Sequence, residues 1–283
     1  MSAIPTTTSS NTSSGLPSST GSQAWPWPLP GILLLLFLAG CGTPTPSMPS
    51  ICKQSTIDAL SALHANLEFP GYLADGGARR PNQEFDVNQT FSVLSHLSME
   101  PGYALDYAYY SEFLGGQPVL YVRPVDQAPY LTYAELVTAT NTAAGSSRPG
   151  DYRDYLRVDG TAEGFLDLAL FHLMGNQFYL SWHAGYNDAT AICDRSGLEA
   201  IISALEKGEF GQSITAMQAR QARALDLEPV VEFRDNTVTV KLVYFTRWGG
   251  FLQKVLTFQR EPPHTLIGSD EIELVPYDCG VVF

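Results

Sequence analysis

Apolar positions along this chain switch between two periods. Ile57, Leu60, Leu63 and Leu67 recur at helical spacing, with Ser55-x-x-Asp58 as a capping box at the start and Pro70 as the stop. The pair Thr132-x-x-Glu135 opens a second helix, running to about Ala144. Ser196-x-x-Glu199 opens a third, with Leu198, Ile201, Ile202 and Leu205 on one stripe. Two more helices are expected, over about 89–98 (Phe91, Leu94, Leu97) and over 213–226, where Ile214, Met217 and Ala224 face inward.

Elsewhere the period falls to two. Tyr103, Leu105, Tyr107 and Tyr109 alternate, Gly115-Gly116 reads as a turn, and PVLYVRP follows, so 103–123 reads as a hairpin. Phe178, Leu180 and Trp182 alternate, which places Tyr179, Ser181 and His183 on one strand face. The last third reads as a meander: EPVVEF, TVTVKLVYFTRW, FLQKVLTFQRE and a final strand DEIELVPY. Helices mixed with hairpins, without regular βαβ alternation, predict an α+β fold with a mostly antiparallel sheet over residues 52–283 as a single domain. HLSMEPGYALDY (96–107) and HLMGNQFYLSW (172–182) echo one another, each followed by a segment ending in Arg, at Arg123 and Arg195. Two related halves or chance similarity both account for the echo.

The head of the chain differs in kind. It carries no charged side chain before Lys53, although the whole has 16 Lys and Arg against 29 Asp and Glu, a net charge of −13. Residues 1–24 are dominated by Ser, Thr, Gly and Pro, too polar to bury a core. WPWPLPG (25–31) and ILLLLFLA (32–39) follow. The apolar run is far short of the roughly 20 residues that span a bilayer, and has the dimensions of an export-signal core.

Leu38-Ala39-Gly40-Cys41, after that run and before the tether GTPTPSMPS (42–50), resembles the lipobox of bacterial lipoproteins. The one departure is the absence of Lys or Arg ahead of the apolar run. The resemblance implies cleavage before Cys41, so that 1–40 is a removed leader. It also implies a diacylglyceryl thioether and an acylated amine on Cys41, palmitate being a typical chain. Residues 41–51 would then be a lipidated tether. Two or three acyl chains, at about 0.8 kcal/mol per buried methylene, hold a protein firmly on a membrane. The implied place is the extracytoplasmic face of a cell membrane or an outer membrane. The acidic domain is itself repelled by anionic head groups and by nucleic-acid phosphates.

The remaining cysteines, Cys52, Cys193 and Cys279, have no metal-ligand spacing. Outside the cytoplasm one disulfide is expected, and three pairings are open; a Cys52–Cys279 bond would close the ends of the domain. Three buried thiols are the alternative.

The densest polar cluster is Trp182-His183-Ala184-Gly185-Tyr186-Asn187-Asp188. Here His183 could move a proton while Asp188 orients its ring, with Trp182, Tyr186 and Asn187 as ligand contacts. The bland reading is a β-turn in which Asn187 and Asp188 bond their own backbone. Tyr103, Tyr107, Tyr109, Tyr110 and Tyr121, joined by Trp182, Tyr186 and Trp248, could instead make a flat sugar-stacking surface, or simply fill a half-buried sheet. Asp167 with Glu163 is an acidic pair of the kind glycosidases use, and one expected by chance among so many acids. ARQAR (219–223) and Arg79-Arg80 read as solvated basic faces. No HExxH, GxSxG, P-loop, GxGxxG or EF-hand pattern occurs, so the reading calls for no metal and no cofactor. The leading expectation is a lipid-anchored envelope protein with a binding or structural role. Its rivals are an envelope hydrolase centred on His183 and Asp188, and a carbohydrate-binding module.

Overall fold

The final third of the chain folds as an antiparallel meander, with its last strand over Leu266–Val275, four residues ahead of the expected start at Asp270. A computed structural model describes residues 50–112, 114–142 and 151–280; Cys41, the leader and nearly all of the tether lie outside the described residues. The described part begins α1 (Gln54–Ala65), α2 (Gly71–Ala74), α3 (Thr90–Val93), β1 (Leu97–Met99), β2 (Tyr103–Glu112), β3 (Gly115–Pro124), α4 (Tyr133–Thr142) and β4 (Leu156–Val158). It continues α5 (Ala162–Met174), β5 (Ser181–Trp182), β6 (Thr190–Ile192), α6 (Arg195–Glu206), α7 (Ala216–Arg223), β7 (Val230–Arg234), β8 (Thr237–Thr246), β9 (Gly250–Gln259) and β10 (Leu266–Val275). Every strand pairing is antiparallel, so the class is α+β. Among the described residues no helix is long and apolar enough to cross a membrane.

The main sheet runs β10-β9-β8, and two short strands share the far edge of β8. There β7 takes the start of β8, from Thr237 to Lys241, and β6 takes Val243 to Phe245. Side chains alternate across this sheet. Val238, Val240, Leu242, Leu256 and Phe258 face the principal core with α5, whose residues 164–171 are buried on every side. Val243, Phe245 and Phe251 face a second core under α6 and α7. The β2–β3 hairpin is likewise buried on both faces. Leu105, Tyr107 and Tyr109 enter the principal core, while Ala108 and Tyr121 pack beneath Leu136 of α4.

That double burial removes the flat tyrosine surface. Tyr107, Tyr109 and Tyr121 are buried, Tyr103 packs on Tyr155, and Tyr110 packs on Tyr133. The reversal of the hairpin falls before Gly115, and Gly115-Gly116 already belong to β3. They are glycines because partners press on them. A Cβ on Gly115 would strike the Ser181 carbonyl and one on Gly116 the Tyr109 ring, and Gly115 has φ 134°.

Other local expectations yield to tertiary contacts. Ser55 is not a cap: α1 begins at Gln54, whose side chain bonds Asp58 Oδ1 at 3.1 Å and accepts the Cys193 N–H at 3.2 Å. The same helix ends before Pro70, which instead precedes α2. Asp194, not Ser196, caps α6 by accepting the Gly197 N–H at 3.0 Å. Thr132 does accept the Glu135 N–H, at 3.2 Å. In α7, Thr215 and Gln218 form a capping box unseen in the sequence; Ala219 and Ala222 face inward, while Met217 is 61% exposed and Ala224 is exposed. The helix expected over 89–98 is a single turn, because Leu97–Met99 leaves it to pair with Leu156–Val158. The segments 96–107 and 172–182 adopt different structures: His96 precedes a strand, whereas His172 lies in the last turn of α5, and Arg195 opens a helix.

Cys52 and Cys193 form the disulfide, with Cα atoms 5.4 Å apart, and Cys279 is a buried free thiol. The bridge ties the start of the domain to the end of β6, so it joins α1 to the main sheet and not to the C-terminus.

Candidate functional site

The strand expected through Trp182 stops almost at once. Tyr179 and Trp182 adopt left-handed φ values of 50° and 47°, a conformation costly for side-chain-bearing residues and held only where neighbours enforce it. The neighbours are evident. The Tyr179 hydroxyl accepts the Phe85 N–H at 3.0 Å, and its carbonyl accepts the Tyr109 hydroxyl at 2.8 Å. Ser181 and Trp182 pair with Gly116 and Gly115, and the His183 N–H bonds the Leu114 carbonyl at 3.2 Å. The chain then turns through a 3-10 helix, His183–Tyr186.

This turn stacks its rings. Trp182 and His183 lie 5.1 Å apart at 23°, and His183 and Tyr186 lie 5.6 Å apart at 16°. Trp248, from the β8–β9 turn, closes on Tyr186 at 4.2 Å. A cleft of about 240 Å³ opens beside them, with Arg247 and Phe210 on its walls. Trp182 and Tyr186 are 59% and 40% exposed.

Asp188 serves a different end. Its carboxylate accepts the Thr246 hydroxyl, the Arg247 N–H at 3.1 Å and Arg247 Nε at 2.7 Å; Arg247 also donates to the Gly185 carbonyl at 3.2 Å. Those bonds clasp the β8–β9 turn to the 183–188 turn. Asn187 points elsewhere, donating to Asn176 Oδ1 at 3.1 Å. Of the five candidates, Trp182, His183 and Tyr186 form one stack, while Asn187 and Asp188 anchor the loop that carries it. Flat ring faces with polar edges suit stacking on an apolar ligand face.

A second polar group was legible in sequence only as the acidic pair Asp167 and Glu163. His96 Nδ1 lies 2.7 Å from Asp159 Oδ2, and Asp159 Oδ1 accepts from the Thr161 N–H at 3.0 Å and its hydroxyl at 2.6 Å. Asp167 Oδ2 accepts the His96 backbone N–H at 3.0 Å. The bond to Asp159 raises the His96 ring above its ordinary pKa, and burial raises the Asp167 carboxyl. His96, Asp167, Glu163 and Lys53 border a cavity of about 340 Å³. His96 and Asp159 are 63 residues apart; only the pairing of β1 with β4 brings them together.

Among the described residues no group of three or more His, Cys, Asp or Glu is arranged to hold a metal ion. No family model, no curated protein and no solved structure matches this chain.

Proposed function

We propose that the chain is a lipoprotein held on the extracytoplasmic face of a membrane through acyl chains on Cys41, and that residues 52–283 form a domain with a binding or structural role there. The observation that carries this reading is the Cys52–Cys193 bridge. Structural disulfides persist in oxidising compartments, and this one lies directly downstream of the lipobox-like Leu38-Ala39-Gly40-Cys41. Labelled palmitate fed to the native host should enter the protein and fail to enter a Cys41→Ser variant. Equal label in both, or in neither, removes the proposal.

The exposure of Trp182 and Tyr186 favours a second reading, in which the ring stack meets the apolar face of a pyranose. Titration with cell-wall oligosaccharides would then quench tryptophan fluorescence in the wild type and not in Trp182→Ala. An unchanged spectrum at millimolar sugar rules it out.

A further inference from the structure

A third cavity, of about 350 Å³, lies between the C-terminal turn of α5 and the face of β8–β10. Its volume falls within the range of small-molecule sites. Two walls are built from polar groups held in place. On one, Asn187 is fixed by Asn176 at 3.1 Å, and the lining residues Leu173 and Ala189 are held by Gln177, itself outside the lining, which donates to their carbonyls at 3.2 and 2.9 Å. On the other, Glu271 accepts both the Tyr244 hydroxyl and Lys254 Nζ, the latter at 3.3 Å. Lys254 and Glu271 stand directly opposite one another on β9 and β10, so their charges project side by side. Tyr244 is buried while its hydroxyl reaches the cavity lining, which makes the carboxylate's position part of the fold. Leu173, Leu256 and Leu266 supply an apolar surface beside these groups.

The charge balance is informative. A protein with net charge −13 lines this cavity with one cation and one anion. His172 on its wall is neutral at physiological pH, because burial lowers its pKa to about 4. The Lys254 and Glu271 side chains are 24% and 46% exposed, so a ligand of single charge is attracted by one member of the pair and opposed by the other, whereas a ligand bearing both signs meets both. A ligand with no charge would leave the Lys254–Glu271 pair unused.

We infer that this cavity binds a small zwitterion, an α-amino acid with an apolar side chain, whose ammonium lies against Glu271 and whose carboxylate lies against Lys254. Ligand and ion pair then form an antiparallel set of four charges that leaves the existing pair intact. The side chain lies on the Leu173, Leu256 and Leu266 surface. The inference rests on the reading of the domain as a binding module and names its ligand class; it is independent of the lipid anchor.

Isothermal calorimetry on the purified full chain in detergent tests it, with L-leucine, N-acetyl-L-leucine, L-leucinamide and glucose as probes. Leucine should bind, and each blocked derivative at least tenfold more weakly, since each lacks one of the two charges. Lys254→Met should weaken leucine tenfold or more with an unchanged circular dichroism spectrum. Absence of leucine binding to the wild type overturns the inference. So does equal affinity for a blocked derivative, undiminished binding to folded Lys254→Met, or binding of glucose in place of leucine. Palmitate labelling is unaffected by any of these results, so failure of this site and failure of the anchor are separable.

Discussion

Arg79 Nη1 and Asp106 Oδ1 are 2.6 Å apart in the interior, with Arg79 only 5% exposed. This arginine is therefore no solvated basic spot, unlike Arg80 beside it. Its Nε bonds Glu84 at 2.9 Å, its guanidinium lies 3.4 Å above the Tyr107 ring, and Arg123 Nε takes the other Asp106 oxygen at 2.8 Å. Burial alone would raise the Glu84 carboxyl. Bonds from the Arg80 N–H, the Tyr72 hydroxyl and Arg79 outweigh it and hold that carboxyl below its ordinary pKa.

Removing one member of such a network leaves buried charge uncompensated. Arg79→Met should lower unfolding free energy by about 3–5 kcal/mol, whereas Arg80→Met should change it by about 0.5 kcal/mol or less. Urea unfolding curves compare the two directly, and coincident midpoints would contradict the assignment.

The His96–Asp159 pair predicts a pH window. His96 is raised above 6.5 by its bond to Asp159, so its contribution is full below 6.5 and is lost as pH rises through the raised value. For Asp159, burial is outweighed by bonds from Thr161 and His96, and its pKa falls below 3.8. That contribution is present above 3.8 and is lost as pH falls through the lowered value. The Tm difference between wild type and His96→Asn should thus be largest between these bounds and shrink above neutrality. A difference that grows toward pH 8 would refute the pairing.

The disulfide closes a separation of 141 residues. Replacing Cys52 and Cys193 together with Ser should lower stability by about 4–5 kcal/mol, the loop-entropy value for so long a closure. Cys279 should react with a thiol reagent only after unfolding; rapid reaction in the native protein would place it at the surface.

Asp188→Ala removes three bonds from the clasp on the β8–β9 turn and should destabilise by about 2–3 kcal/mol, with a shift in tryptophan emission. His183→Ala removes ring stacking, an effect of about 1 kcal/mol. The reverse order of effects would point away from an anchoring role for Asp188.

The strands β7–β9 were legible because period-two alternation runs through the start of β8 and the turns on either side of β8 carry Asn or Gly, whereas β8 is buried on both faces from Leu242 to Phe245 and the β9–β10 turn is built on Pro262-Pro263. The 103–123 hairpin was legible for the same reason. Alternation misled at Phe178–Trp182, where Phe85 and Tyr109 impose backbone angles that no local pattern encodes. The candidate cluster was legible as a concentration of polar and aromatic residues, but the division of labour within it was not. Asp188 was expected to orient His183, and its partners Thr246 and Arg247 lie almost sixty residues away. Arg79 beside Arg80 reads as surface; nothing local distinguishes the residue that meets Asp106 from the one that meets solvent. Cys52 had two equally available partners in sequence, and only the approach of α1 to β6 decides between them.

The bridge also sets how this domain bears load. A pull on the chain ahead of Cys52 is delivered through sulfur to Cys193, and from there along the chain into Asp194, the cap of α6. Helix α1, the β2–β3 hairpin and α5 all lie within the closed loop, outside the line of force, and cannot be drawn out one after another. Strand β6 precedes Cys193 and so lies inside the loop as well; while the bridge is intact, tension bypasses every element between the two cysteines and α6 is the first to receive it.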